Sequence, residues 1–375
     1  MNEIPQHMHA VLLHGHGGPA MLEYRDDIPV PTPGAEEVLI RVGAAGVNNT
    51  DVNTRTGWYA KSVTGSTDEG GVDSAAEDSD SGGWSAGLTF PRIQGADAAG
   101  TIVAVGDDVD RARIGERVMV RTMQASRSAP DSETEVFGSE FDGGFAQFAT
   151  TRASEAFRVD SDLSDIELAS FPCAYSTAEG MIHKIGVNAS DRVLITGASG
   201  GVGSAAIQLA KRRGAEVIAV ASKAKWADLE PLGADQLLDR DTNLVEALGE
   251  NGIDVVLDVV AGPNWPALLD VLRIGGRYMT AGAIAGPIVE LDVRTLYLKD
   301  LTLMGSTMQP REVFENLVRY VEAGEITPMV SNTYPLSEIG RAQADFLAKL
   351  YPGKLVLIPP DIKGFDAFPA SELAD

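Results

Sequence analysis

The sequence predicts an α/β protein built from two units, a β-rich unit of barrel type and a doubly wound parallel sheet. Residues 9–157 contain short β-like runs, among them "EEVLIRVGAAGV", "GTIVAVG" and "GERVMVR", set off by Gly, Pro and Asp turns, which is the spacing of an all-β unit. From about residue 166 apolar runs alternate with helical stretches, which implies βαβ units and a parallel sheet. At 375 residues the chain also exceeds the size at which single hydrophobic cores stop growing. The expected division is 1–157 with 311–375 for the first unit and 158–310 for the second.

Within the first unit, residues 61–87 are rich in Ser, Gly and Asp and almost free of apolar side chains. Such a stretch buries too little to offset its ordering entropy and reads as an acidic insertion, a surface loop or lid. Residues 124–140 read as a second, smaller polar insertion. In the second unit, strands are expected at 193–196, 217–221, 236–238, 255–260, 278–281 and 301–304. After them "REVFENLVRYVEAGEI" has the spacing of an amphipathic helix, and "GKLVLIPP" reads as a closing strand that returns to the first unit.

The densest signal is "VLITGASGGVGSAAIQLAK", in which the G-x-G-x-x-G spacing is kept as Ala198-x-Gly200-x-x-Gly203. Placed between a buried strand and a helix, it reads as a dinucleotide-binding turn: Gly200 lets the backbone approach a diphosphate, and the helix N-terminus supplies amides and a positive dipole end. The alternative is a tight connection with no ligand. About 20 residues on, where an acid would hold a ribose 2′-hydroxyl, the sequence is "VASKAKW". Ser222 stands where the carboxylate would be, with Lys223 and Lys225 beyond it, so a 2′-phosphate is attracted and NADPH is favoured over NADH. The lysines of a solvated helix start are the competing reading.

Acidic residues number 54 against 30 basic, a net charge of −24, which argues against nucleic acid as a general partner. The basic residues are 21 Arg and 9 Lys, a balance that fits either a salty cytoplasm or a GC-rich genome. Cys173 is the only cysteine, which excludes an internal disulfide and any multi-cysteine zinc site. No apolar run approaches the roughly 18–20 residues of a membrane helix, and the N-terminus lacks a basic start followed by an apolar stretch, so a cytoplasmic protein without a membrane partner is expected.

Taken together, "GASGGVGSAAIQLAK", "RVGAAGVNNTDVNTRTGWY", "FPRIQGADAAGTIVAVG" and "GGFAQFA" resemble the medium-chain dehydrogenase/reductase superfamily, and within it the zinc-free quinone oxidoreductase branch. The resemblance implies a GroES-like β-barrel catalytic domain, a Rossmann domain binding NADPH, and commonly a homodimer. Zinc-dependent relatives hold their metal with a cysteine in the loop matching "GVNNTD", a His-Glu pair after the glycine of "GAD", and a second cysteine. Here those positions read Asn48 or Asn49, Ala96 and Cys173, and a lone thiol does not make a catalytic zinc site. Asp51 and Asp97 are read as structural, since two hard carboxylates and one soft thiol match no common metal.

The resemblance further places Asn48 and Tyr59 toward the nicotinamide as residues that orient a substrate carbonyl, with a turn residue and a pocket wall as their plainer readings. It implicates Thr177 near the nicotinamide; Ser199, Gly200, Gly201 and Val202 at the diphosphate; Ser222 and Arg240 at the adenosine; and Gly262 beside the fourth strand. Ala281, Gly282 and Ala283, with Thr307 and Met308, follow strands five and six. Trp84 and Phe90 are expected to cap a hydrophobic substrate. His7, His9, His14 and His16 alternate near the N-terminus and are read as structural, and His183 has no evident acid partner.

The expected activity is hydride transfer from NADPH to a quinone or an α,β-unsaturated carbonyl without zinc. The alternatives are a zinc-type alcohol dehydrogenase with an atypical metal site and a non-catalytic NADPH-binding sensor.

Overall fold

The computed structural model describes residues 4–67, 69, 88–126 and 134–362, which form two compact units. One holds residues 4–61, 88–126, 134–173 and 330–362, the other 62–67, 69 and 174–329.

In the first unit, β1 (His7–Leu13) pairs antiparallel with β2 (Leu22–Pro29). The ten-residue β3 (Glu37–Gly46) is the spine, apolar on both faces because both are covered. It leads into α1 (Asn49–Thr56), which ends at Gly57 with φ 70°, a left-handed conformation that glycine adopts without strain. The strands β4 (Arg92–Ile93), β5 (Ala99–Val105), β6 (Arg117–Val120), β7 (Met123–Ala125), β8 (Thr134–Val136), β9 (Phe148–Arg152) and β10 (Ala156–Arg158) follow. β5 and β9 both pair antiparallel with β3. The stretch 124–140, expected as a second polar insertion, carries regular structure in its described part. β7 and β8 pair as an antiparallel ladder, and Phe137 just beyond is fully buried, so the polar composition conceals one inward-facing row. The short helix α2 (Asp165–Leu168) closes this part, capped by Ser164.

The helix α3 (Pro172–Ile185) leads into the second unit, whose sheet contains β11 (Arg192–Ile195), β12 (Glu216–Val220), β13 (Gln236–Leu238), β14 (Ile253–Asp258), β15 (Leu272–Thr280) and β16 (Thr302–Gly305). All pairs are parallel and the order is β13-β12-β11-β14-β15-β16, the doubly wound order with its reversal between β11 and β14. All six expected strands are present. β15 starts six residues earlier than expected, its first half being exposed and therefore unmarked by apolar periodicity. The helix α4 (Gly201–Arg212) follows β11.

The helix Arg311–Glu322 carries the expected amphipathic pattern, with Val313, Phe314 and Leu317 fully buried. It belongs to the second unit, so the divisions fall at 173/174 and 329/330 rather than at 157/158 and 310/311. Residues 62–67, from the start of the acidic insertion, also belong there, through Thr67 donating its amide to the Ile284 carbonyl. The chain then supplies β17 (Val330–Pro335) and β18 (Lys354–Ile358) to the first unit, where β18 pairs antiparallel with β3. Leu355, Val356 and Leu357 are buried in that core, each stabilising it by about 1.5–3 kcal/mol.

Candidate active site

Gly200 caps α4 with no side chain bonded to its first amides, and it is exposed where a diphosphate would approach. A Cβ added at Gly200 would meet only the Gly197 carbonyl, at 3.5 Å, so the space above it is open. A Cβ at Gly203 would lie 2.3 Å from the same oxygen, which is the tight helix-to-strand packing the spacing implied. Ser199, Gly201 and Val202 line this turn and are partly exposed. The cradle therefore fits a dinucleotide diphosphate.

The other residues expected at the cofactor all follow the carboxyl ends of parallel strands, except Thr177, which sits on α3 and is partly exposed. Gly262 follows β14 at φ 71°, and a Cβ there would stand 2.7 Å from the Ala285 carbonyl. Ala281 donates its amide to the Asp258 carbonyl, and Thr280 Oγ1 donates to the Gly282 carbonyl. Ala283 accepts from the Gly286 amide, while Thr307 and Met308 stand exposed after β16. Sequence reasoning missed what holds this edge. The fully buried Asp258 accepts from Thr196 Oγ1, from Tyr278 Oη at 2.6 Å and from the amides of Val260 and Ala261. Burial, with the Asp258 carboxylate second, pushes the Tyr278 phenol well above its ordinary range, so it stays a donor. Ala261 adopts φ 54°, a strained region for a non-glycine residue, and the Asp258 bond to its amide restrains it there.

At the adenosine end Ser222 caps the short helix Lys223–Lys225. The structure adds a residue the sequence reading overlooked: Asp239, at the end of β13, accepts the Lys223 amide at 3.0 Å. The charges of Lys223 and the exposed Arg240 act on Asp239, and Arg240 also pairs with Asp241 at 3.9 Å. The "DRD" triplet after β13 was the available signal.

In the first unit, Asn48 and Tyr59 flank α1. Asn48 Nδ2 donates to Asp97 Oδ2 at 2.8 Å and to the Gly46 carbonyl at 3.4 Å, and its Oδ1 accepts from Lys354 Nζ. Its carboxamide is engaged inside the protein, which matches the plainer reading of Asn48 as a turn residue that holds the loop. Burial pushes the Tyr59 phenol above its ordinary range, opposed by side-chain hydrogen bonds from Thr50 and Asn53. Asp51 takes the Asn48 amide at 2.8 Å and the Ala96 amide at 3.0 Å, joining two loops. Burial first, then the Asp97 charge, raises its pKa to about 7 against the opposing amides and Lys354.

These positions do not fit a zinc site. Ala96 offers no donor side chain, Asn48 is held by an ammonium, and no group of three His, Cys, Asp or Glu suited to a metal occurs among the described residues. The histidines have organic partners: His9 Nδ1 pairs with Tyr24 Oη, His14 with Glu23, and His16 Nδ1 with the Thr54 carbonyl, while exposed His7 opens β1. His183 does have an acid partner, Glu312 at 3.0 Å, brought from 129 positions away by the helix Arg311–Glu322. Phe90 packs edge-on against His16, and Trp84 lies outside the described residues.

Known proteins resemble this chain along nearly its whole length. Residues 34–161 match the alcohol dehydrogenase GroES-like domain and residues 201–323 the zinc-binding dehydrogenase domain. A candidate alcohol dehydrogenase from Sinorhizobium meliloti, known from its crystal structure, is 49% identical over 95% of this chain and 98% of its own, with a TM-score of 0.86. The chain belongs to the medium-chain dehydrogenase/reductase superfamily. Within that superfamily it falls in the quinone oxidoreductase-like branch and is an oxidoreductase. Quinone oxidoreductase from Homo sapiens is 27% identical over 94% of this chain and 98% of its own. A 2-octenoyl-CoA carboxylase reductase solved with NADP and 2-octenoyl-CoA is 25% identical over 98% of this chain and 91% of its own, with a TM-score of 0.81. The superfamily's members bind nicotinamide cofactors, and the open Gly200 cradle suits one here. Among the described residues no helix is long and apolar enough to cross a membrane.

Proposed function

We propose that the protein is a cytoplasmic, zinc-independent NADPH-dependent reductase of quinones or α,β-unsaturated carbonyl compounds. The observation that carries this reading is the donor set at the three positions where zinc relatives hold metal: an engaged carboxamide, an alanine and one thiol. Without a Lewis acid, alcohol oxidation is hard, whereas a conjugated acceptor takes hydride directly and spreads the charge onto oxygen. The nicotinamide supplies the hydride when bound. The first amides of α4 hold the diphosphate, and Ser222, Lys223, Lys225 and Arg240 attract the 2′-phosphate with a net positive balance over Asp239 and Asp241. Tyr59, kept protonated by burial, donates to the acceptor's carbonyl oxygen, where the electron pair arrives. The relatives that act on quinones and carry an enoyl thioester support both acceptor classes. We further propose a homodimer, a reading supported by the exposed apolar residues Val293, Tyr297 and Leu298 on the helix that precedes the edge strand β16.

The test is consumption of NADPH and of NADH across quinones, 2-alkenals, enones, enoyl thioesters and alcohols, with metal analysis of the purified protein. Chelator-insensitive turnover of a conjugated acceptor, faster with NADPH, is expected. Stoichiometric zinc with alcohol oxidation overturns the reading, and light scattering of a monomer overturns the dimer.

A further inference from the structure

The least expected group in the first unit is a lysine buried at the start of an apolar strand. Lys354 is 2% exposed and donates to the Val47 carbonyl at 3.1 Å, to Asn48 Oδ1 and to Asp97 Oδ2 at 2.7 Å, so its three N–H bonds are all spent inside the protein. Asp97 is fully buried, and its second oxygen accepts the Cys173 amide at 2.7 Å. The backbone has been cut to fit the pair. A Cβ at Gly46 would lie 2.3 Å from Asp97 Oδ2 and 3.0 Å from Lys354 Cε, so only glycine leaves room for it.

These bonds tie together Asn48, the turn holding Ala96 and Asp97, and Cys173, the three places at which zinc relatives carry ligands. A zinc ion in such relatives cross-links those segments as well as activating substrate. We propose that the Lys354–Asp97 ion pair takes over the cross-linking task in this chain, making Lys354 a positioning residue that sets the loop carrying Thr50 and Tyr59. The pair has no N–H left to offer a substrate, so it acts only through that loop. This rests on the zinc-independent reading above.

A buried pair predicts an unusual pattern of variants. Removing one partner strands a charge, whereas removing both leaves no uncompensated charge. Lys354→Met and Asp97→Asn are each expected to lower the melting temperature by on the order of 10 °C and kcat about 10-fold or more, with the NADPH dissociation constant unchanged within about twofold. The double variant is expected to regain most of the melting temperature while kcat stays low. Amide exchange in the full-length protein gives the independent readout: Asn48, Ala96 and Cys173 are slow in the native protein and fast in the double variant. Should a single variant not fold, the double variant decides alone. A double variant with native kcat, or with native exchange at those three amides, overturns the proposal. Zinc in the native protein, or no turnover of any acceptor, instead overturns the proposed function, while the exchange comparison still decides the cross-link.

Discussion

Tyr278 donates its hydroxyl to Asp258 across two neighbouring parallel strands, at 2.6 Å, and the same carboxylate restrains the strained turn at Ala261. Tyr278→Phe removes one of several donors and is expected to cost about 1–2 kcal/mol with NADPH affinity unchanged within about twofold. Asp258→Asn turns an acceptor toward donors and is expected to cost about 2–3 kcal/mol and to weaken NADPH binding as the turn relaxes. Denaturant titration and cofactor fluorescence titration check the pair. Equal effects on affinity would refute the turn-holding role.

Gly200 and Gly203, three residues apart in sequence, separate binding from folding. Gly203→Ala drives a methyl against the Gly197 carbonyl and is expected to cost about 2 kcal/mol or more. Gly200→Ala clears that oxygen at 3.5 Å, so the melting temperature holds while NADPH affinity falls about 10-fold or more. Native affinity in Gly200→Ala would remove the diphosphate from this turn.

Asp51 gives stability a pH dependence. Its pKa rises from 3.8 to about 7 on folding, so the folded state holds the proton more tightly than the unfolded one. Its contribution is fully present below about pH 4 and is lost as pH rises through about 7, a loss of a few kcal/mol. Denaturant midpoints from about pH 5 to pH 8 are expected to fall in the native protein, and Asp51→Asn is expected to flatten that slope.

Tyr59→Phe tests the donor to the substrate oxygen. A kcat reduced about 10- to 100-fold with unchanged NADPH affinity is expected, measured with the best conjugated acceptor. An unaltered kcat would leave Tyr59 as a wall.

What was legible in the chain was local. The β11 turn and α4 were readable because strand, glycines and helix follow one another directly in sequence, and the parallel sheet because its inner strands β11, β12 and β14 are largely buried and so nearly continuously apolar. β7 and β8 were hidden because polar side chains also fill buried positions there, Gln124 bonding inward to the Arg121 carbonyl and Thr151. Asp239 beside Lys223, and Glu312 beside His183, depend on which strands and helices become neighbours, which composition does not reveal. Lys354 was legible only as a cation opening the "KLVLI" strand, and Asn48 took a catalytic expectation because its partner stands 306 positions away.

That separation also orders events during biosynthesis. Asp97 leaves the ribosome 257 residues ahead of Lys354, and until then the carboxylate lacks this ammonium. Residues 174–329 of the second unit are complete before Lys354 appears, so the turn at Asn48 is locked only after that unit has been made.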